Sequence, residues 1–201
     1  KKVFNNYKKK EQDNYTVGFI GKIRYMKQLK MLIDASKEAD VNVVIAGNGV
    51  GFNEIQDYCI NMDHVEVYGA YDYEKEISSL YEKVNCIFSM YDTEIKNVQI
   101  ALPNRLYEAT FCKVPLIVSK KTVLAEIVES EGIGISIEDS DFQGLVTVLK
   151  RLKTDIELNN QLSDNCAKFI RKWDYEMCNE ELVRVYQIYT NSLDRRYHYD
   201  K

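Results

Sequence analysis

From residue 15 to residue 137, short apolar runs alternate with stretches whose apolar residues recur every three or four positions. The runs at 15–21, 41–47, 65–69, 85–91, 114–119 and 132–137 predict six strands. The stretches at 26–39, 52–61, 74–83, 102–112 and 123–130 predict helices between them, with Leu29, Leu32 and Ile33, or Ile55, Tyr58 and Cys59, on one face. Runs such as VVIAG and PLIVS are almost continuously apolar, as strands buried on both faces are. Strict strand–helix alternation with short connections implies a parallel sheet covered on both sides. The expected fold is α/β, a Rossmann-like doubly wound six-stranded sheet. From about 141 onward only helical periodicity remains, over 142–153, 156–173 and 174–193, with Thr154 and Asp174 as candidate N-caps. Residues 1–15 are polar and lysine-rich and read as a linker or frayed end, 16–192 as one domain with its terminal helices, and 193–201 as a tail.

In a sheet of this kind a ligand sits beyond the carboxyl ends of the strands, so the strand-to-helix junctions are where chemistry should collect. The first junction holds Gly21, Lys22, Arg24 and Lys27. Three cations there would neutralise a diphosphate; the alternative is a solvated basic turn. The second, Gly47-Asn48-Gly49-Val50-Gly51, resembles a fragment of a dinucleotide fingerprint. It has the wrong frame and follows the second strand, so it reads better as a tight turn beside a ligand than as an NAD site. The third, Tyr68-Gly69-Ala70-Tyr71, offers aromatics that could flank a base, or a plain turn. The fourth opens a helix with Pro103. The free amides of Asn104, Arg105 and Leu106 would make an anion site there, and Glu108, one turn further, could accept from a ribose diol or lie on a solvated face. Asp139-Ser140-Asp141 spells D-x-D just ahead of a helix, where an N-cap is the expected role.

Composition narrows the classes. A net charge of −4 argues against nucleic acid as the main partner. Five cysteines without a CxxC, and only two histidines, give no zinc pattern and read as buried reduced thiols of a cytoplasmic protein. No apolar run nears the ~20 residues that span a bilayer, and the opening residues lack a signal-peptide core. The chain opens on lysine rather than methionine, which reads as a piece of a longer protein. Few glycines and many Lys, Asn, Ile and Tyr hint at an AT-rich bacterial genome and surface polysaccharide synthesis.

The segments GFIGKIRYMKQLKMLIDA, VIAGNG, V-x-V-Y-G and ALPNRLYEATFCKVPLIVS resemble the C-terminal domain of GT-B glycosyltransferases of family 4, the glycosyl transferases group 1, over roughly residues 15–192. PNRLYEATFCKVPLIVS is the most specific piece, similar to the donor segment of bacterial capsule enzymes, with Pro103 where many relatives have glycine. The closing helix around Trp173 is similar to the last helix of that fold. The resemblance implies donor diphosphate contacts from Lys22 and Lys27, with Arg24 in addition, and phosphate contacts from the backbone amides of Asn104 and Arg105. It implies Glu108 on the nucleotide ribose and the Tyr68–Tyr71 turn against the base, with Gly21, Gly47, Asn48, Gly69 and Leu106 completing the donor set. The family's first acidic residue falls at Ile100, so Asp92, Glu94 or Asn97 would have to substitute.

The implied reaction is retaining sugar transfer from a nucleotide-diphosphate sugar, UDP-sugar first, to a glycan or lipid-linked acceptor, without a metal or other cofactor. Acceptor site and general base would lie in a missing N-terminal half, leaving this fragment inactive alone, cytoplasmic, and near the membrane only through that half. Competing readings are a catalytically silent partner domain, favoured by Ile100, and a nucleotide-sugar epimerase.

Overall fold

The computed structural model describes residues 2–10, 14–172, 183, 184 and 187. Six strands, β1 (Thr16–Ile20), β2 (Asn42–Ala46), β3 (Val65–Gly69), β4 (Cys86–Ser89), β5 (Leu116–Ser119) and β6 (Gly134–Ile137), form one sheet in the order β3-β2-β1-β4-β5-β6. Every pairing is parallel. The strand order reverses between β1 and β4, which makes their carboxyl ends the switch point.

The period of two along the central strands feeds two cores. Val17, Phe19 and Ile45 face one layer, with α1 (Met26–Ala39), α2 (Phe52–Tyr58) and α7 (Phe142–Thr154). Ile20, Val44 and Ile87 face the other, with α3 (Tyr73–Glu82), α5 (Asn104–Phe111) and α6 (Val123–Ser130). α8 (Ile156–Lys172) spans both, with Leu162 in the first core and Cys166 and Phe169 in the second. The expected α/β doubly wound sheet is therefore what forms. No helix among the described residues is long and apolar enough to cross a membrane.

Differences from the expected elements have local causes. The helix expected over 102–112 starts at Asn104, because Pro103 disfavours helical geometry at Leu102 and is itself extended, φ −75° and ψ 150°. Ahead of it a short helix, α4 (Lys96–Ile100), was not anticipated; it ends at Ala101, which is also extended. The cap before α8 is Asp155, whose carboxylate accepts from Leu158 N at 2.9 Å, and not Thr154, whose hydroxyl donates back to Lys150 O inside α7. Asp141 does cap α7, accepting from Gly144 N at 2.8 Å. Within the lysine-rich opening segment, Lys2–Phe4 form a 3-10 turn, and Phe4 is 5% exposed against the rings of Tyr81 and Phe111. Asp174, Trp173 and most of the last expected helix lie outside the described residues. Cys59, Cys86, Cys112 and Cys166 are free thiols, all buried.

Candidate functional site

The junctions after β1, β2 and β3 are tied to one another by main chain. Gly21 N donates to Ala46 O (2.8 Å), Ile23 N to Asn48 O (2.9 Å) and Gly47 N to Gly69 O (2.6 Å). The glycines allow it. A Cβ at Gly47 (φ 137°) would stand 1.9 Å from Gly21 O, and one at Gly49 (φ 153°) 2.3 Å from Ile23 O. The glycine cluster thus lets three loops pack backbone to backbone, a role unlike that of a dinucleotide fingerprint.

These loops bound a cleft of about 310 Å³, lined by Gly21, Lys22, Gly47, Asn48, Ala70, Tyr71 and Tyr73. Lys22, Arg24 and Lys27 are all exposed, and among the described residues none has an ion-pair partner. Lys22 lines the cleft, whereas Arg24 and Lys27 lie beside it on the same junction and the first turn of α1. Tyr71 lines the cleft, but Tyr68 does not. Alternation along β3 turns Tyr68 away, its hydroxyl donating to Glu76 and its ring lying 5.2 Å beneath the Lys83 ammonium. Gly69 is buried behind the cleft, where its carbonyl holds Gly47.

Across the cleft α3 contributes Tyr73, behind which lies Glu108 of α5. Glu108 is half-buried, and its Oε1 accepts from Tyr73 OH (2.8 Å) while Oε2 accepts from Tyr81 OH (3.0 Å). An ionised carboxylate has about four acceptor sites, so capacity remains for further donors. Tyr73 both lines the cleft and holds Glu108, and so connects that carboxylate to the Lys22 side. Tyr81 is wholly buried, and its phenol is pushed well above 10.0, first by burial and then by the Glu108 charge. Neither tyrosine was singled out in the sequence. The available signal was the place of Tyr81 on the third predicted helix and of Tyr73 just before it, but nothing local reveals that this helix lies beside α5.

At the start of α5 the expected donors divide. Leu106 N already donates to Pro103 O (3.0 Å), so its amide is not free, and its side chain is core. Asn104 is exposed at the first position, outside the lining of the cleft. Arg105 is 8% exposed and runs inward, its Cζ 4.4 Å from the Phe19 ring centroid and 5.5 Å from that of Tyr91. Its side chain, not only its amide, therefore belongs to the region.

Beneath α4 lies a smaller pocket of about 110 Å³ beyond the ends of β4 and β5, lined in part by Tyr25, Tyr91, Asn97, Val98 and Pro103. Of the candidate substitutes for an acidic residue, Asn97 lines this pocket. Asp92 accepts from Glu94 N at 3.0 Å within its own turn, and Glu94 and Ile100 are exposed. Asp139 of the D-x-D accepts from Thr93 N (2.7 Å) and Thr93 Oγ1 (3.0 Å), anchoring this loop to the end of β6.

Comparison with known proteins agrees with this architecture. The family model described as glycosyl transferases group 1 matches residues 2–169. The chain is 25% identical over 191 residues to the uncharacterized glycosyltransferase MJ1178 of Methanocaldococcus jannaschii, covering 92% of this chain and 52% of that protein. It is 24% identical over 197 residues to the capsular polysaccharide biosynthesis glycosyltransferase CapM of Staphylococcus aureus, covering 94% of this chain and 50% of that protein. It thus spans about half the length of these curated relatives. Among solved structures, Anabaena Alr3699/HepE in complex with UDP-glucose superposes with a TM-score of 0.70 at 16% identity, over 87% of this chain and 49% of that one. A mutant of S. aureus TarM, in complex with fondaparinux, alpha-GlcNAc-glycerol and UDP, gives a TM-score of 0.71 at 18% identity, over 90% of this chain and 37% of that one. With the fold, the switch-point cleft and a family match over most of its length, the chain belongs to the glycosyl transferases group 1 and adopts the Rossmann-like fold of a GT-B glycosyltransferase domain.

Proposed function

We propose that this chain is the donor-binding half of a glycosyltransferase and that its cleft takes a nucleotide-diphosphate sugar, with UDP-sugar the leading form. The observation that carries the reading is the cleft itself: Lys22 and the oxygen- and nitrogen-rich glycine loops line one bank, and Tyr73 joins the other bank to Glu108. A nucleoside diphosphate needs a cation for its phosphates, an acceptor for its ribose diol and a flat surface for its base. Lys22 and Tyr71, which line the opening, would supply the first and third, and Glu108, which accepts from the lining residue Tyr73, would supply the second. Breaking the bond between sugar and diphosphate separates an anion from an oxocarbenium-like centre. Cations and oriented amides lower that barrier by stabilising the departing diphosphate. Lys22 would do this from within the cleft, with Arg24 and Lys27 close by in the chain.

Retention of configuration, use of the donor without a metal and a role in surface polysaccharide synthesis belong to this proposal. So do an acceptor site and general base on a second half, an inactive isolated fragment, and a cytoplasmic location that meets the inner membrane face through that half.

Calorimetric titration with UDP, GDP and ADP tests the reading. We expect UDP to bind, and Lys22→Ala to weaken it about three- to fivefold, with less salt dependence and an unchanged melting temperature. Absence of affinity for all three nucleotides would instead support a silent partner domain, the reading that exposed Ile100 in place of an acidic residue favours; it is 68% exposed.

A further inference from the structure

Arg105 carries more charge than its surroundings answer. An arginine side chain is permanently charged and presents five N–H donors. This one is 8% exposed, yet among the described residues its side chain makes one hydrogen bond, from Nη1 to Phe88 O at 3.4 Å. Among the described residues no carboxylate lies within ion-pair reach of it. Two aromatic faces, Phe19 and Tyr91, lie beside it, and its charge also acts on the phenols of Tyr71 and Tyr81. Rings stabilise the flat faces of a guanidinium, and the Arg105 nitrogens are not among the enclosed polar atoms that lack a partner, so the N–H edge of this largely buried cation still opens to solvent.

That edge has a direction. A Cβ added at Gly21 would stand 2.4 Å from Nη2, 3.3 Å from Cζ and 3.4 Å from Nε. The guanidinium thus occupies the space where any other residue at 21 would put its side chain. Gly21 is itself part of the cleft wall. Phe19 is the last residue but one of β1 and Phe88 lies on β4, so the charge sits at the point where the strand order reverses.

We propose that the Arg105 side chain is an anion-binding residue: its guanidinium edge, admitted by Gly21, takes the terminal phosphate of a diphosphate held at the switch point. The charge is clamped before any ligand arrives, because the rings fix the guanidinium plane, so little side-chain freedom is lost on binding. A fork of parallel N–H groups fits two phosphate oxygens, which a lysine cannot match. Lys22 and Arg105 then flank the anion as an exposed and a buried cation. The assignment of the anion to a nucleotide rests on the proposed function; the site itself does not.

The test compares UDP, UMP and inorganic pyrophosphate on the 201-residue chain, since they differ in whether a second phosphate is present. In the unaltered protein UDP should bind more tightly than UMP, and pyrophosphate alone should bind and displace UDP. In R105M we expect UDP and pyrophosphate to weaken by about tenfold or more while UMP changes less than about twofold. R105K, which keeps the charge and loses the fork, should fall in between. A purely structural arginine would lower UDP and UMP together, leaving their ratio unchanged, and that result overturns the proposal. Should both variants fail to fold, the Arg105 Nε–Hε resonance of the unaltered protein decides: it should move on addition of pyrophosphate, and an unmoved resonance overturns the assignment. Pyrophosphate binding without nucleotide binding would keep this site and remove the nucleotide reading. Binding of neither would remove both.

Discussion

The two banks of the cleft solve the same problem with different materials. On the β1–β2–β3 side the surface is main chain: glycine loops are bonded to one another, and the cation among them, Lys22, stands free in solvent. On the α3–α5 side the surface is side chain: Glu108 is held by two phenols and Arg105 lies between two rings. The first bank draws its shape from backbone geometry that only glycine tolerates. The second draws its function from charges placed by packing. Substitutions of the glycines on the first should therefore harm folding before binding, and on the second binding at least as much as folding.

The largest effect should come from the backbone bank. Gly47→Ala puts a Cβ 1.9 Å from Gly21 O at a residue with φ 137°, and we expect a loss of about 3–5 kcal/mol in urea denaturation. Its neighbour Asn48 is exposed and contributes its main-chain carbonyl to Ile23. Asn48→Ala should thus cost less than about 0.5 kcal/mol. Equal, small losses at both positions would erase the distinction between the banks.

Next comes Tyr81, where burial and the Glu108 charge hold the phenol neutral in the fold well above its ordinary 10.0. In the unfolded chain that phenol ionises near 10.0, so beyond this pH the unfolded state binds fewer protons than the native one. Stability then falls as pH rises, by up to about 1.4 kcal/mol per pH unit for each such group. Tyr81→Phe removes one of these groups and one donor to Glu108. At neutral pH the variant should be less stable by about 1–2 kcal/mol, and the deficit should shrink above about pH 10. A deficit that stays constant from pH 8 to pH 11 would mean the phenol is not held neutral. Cys86 and Cys112, whose thiols burial pushes far above 9.0, add to the alkaline slope in both proteins and cancel in the comparison.

Smaller still is Glu108→Gln, which keeps shape and removes charge. If the carboxylate serves a ribose diol, UDP affinity should fall about tenfold, or ~1.4 kcal/mol, measured against 2′-deoxy-UDP. The deoxy nucleotide should lose less, because one of its two diol contacts is already gone. An equal loss for both would move Glu108 from the ribose to a general electrostatic role.

The contrast between the banks also marks how far the sequence could be read. Met26–Ala39, Val65–Gly69 and Val123–Ser130 match the expected elements residue for residue, because apolar periodicity is written locally. The glycine junctions were legible for a related reason: a glycine after a buried strand signals an unusual backbone wherever the chain goes next. Tyr73, Tyr81 and the Arg105 side chain were not legible, since their roles depend on which helices share a face of the sheet. Tyr68 was assigned to the cleft from its place in the turn, but the pleat of β3 directs it to Glu76 instead. Leu102 was assigned to a helix from its apolar neighbours, and one proline overrode them.

Ile100 offers the finest probe of the side-chain bank, because it stands where the family resemblance expects an acidic group and has little structural work of its own. It is 68% exposed at the end of α4. Ile100→Glu should therefore leave stability within about 0.5 kcal/mol, so any change in ligand preference is read without interference from folding. UDP alone, which has no sugar to meet the new carboxylate, should bind as before. A UDP-hexose should gain relative to UDP, by a few-fold for one new hydrogen bond of about 1 kcal/mol. The small pocket lined by Asn97 and Val98 beneath the same helix gives the alternative outcome its meaning. If the UDP-hexose to UDP ratio stays fixed in Ile100→Glu but drops in Asn97→Ala, then the sugar is met from that pocket, and the site has moved its recognition from the end of α4 to the α4 face above the strands.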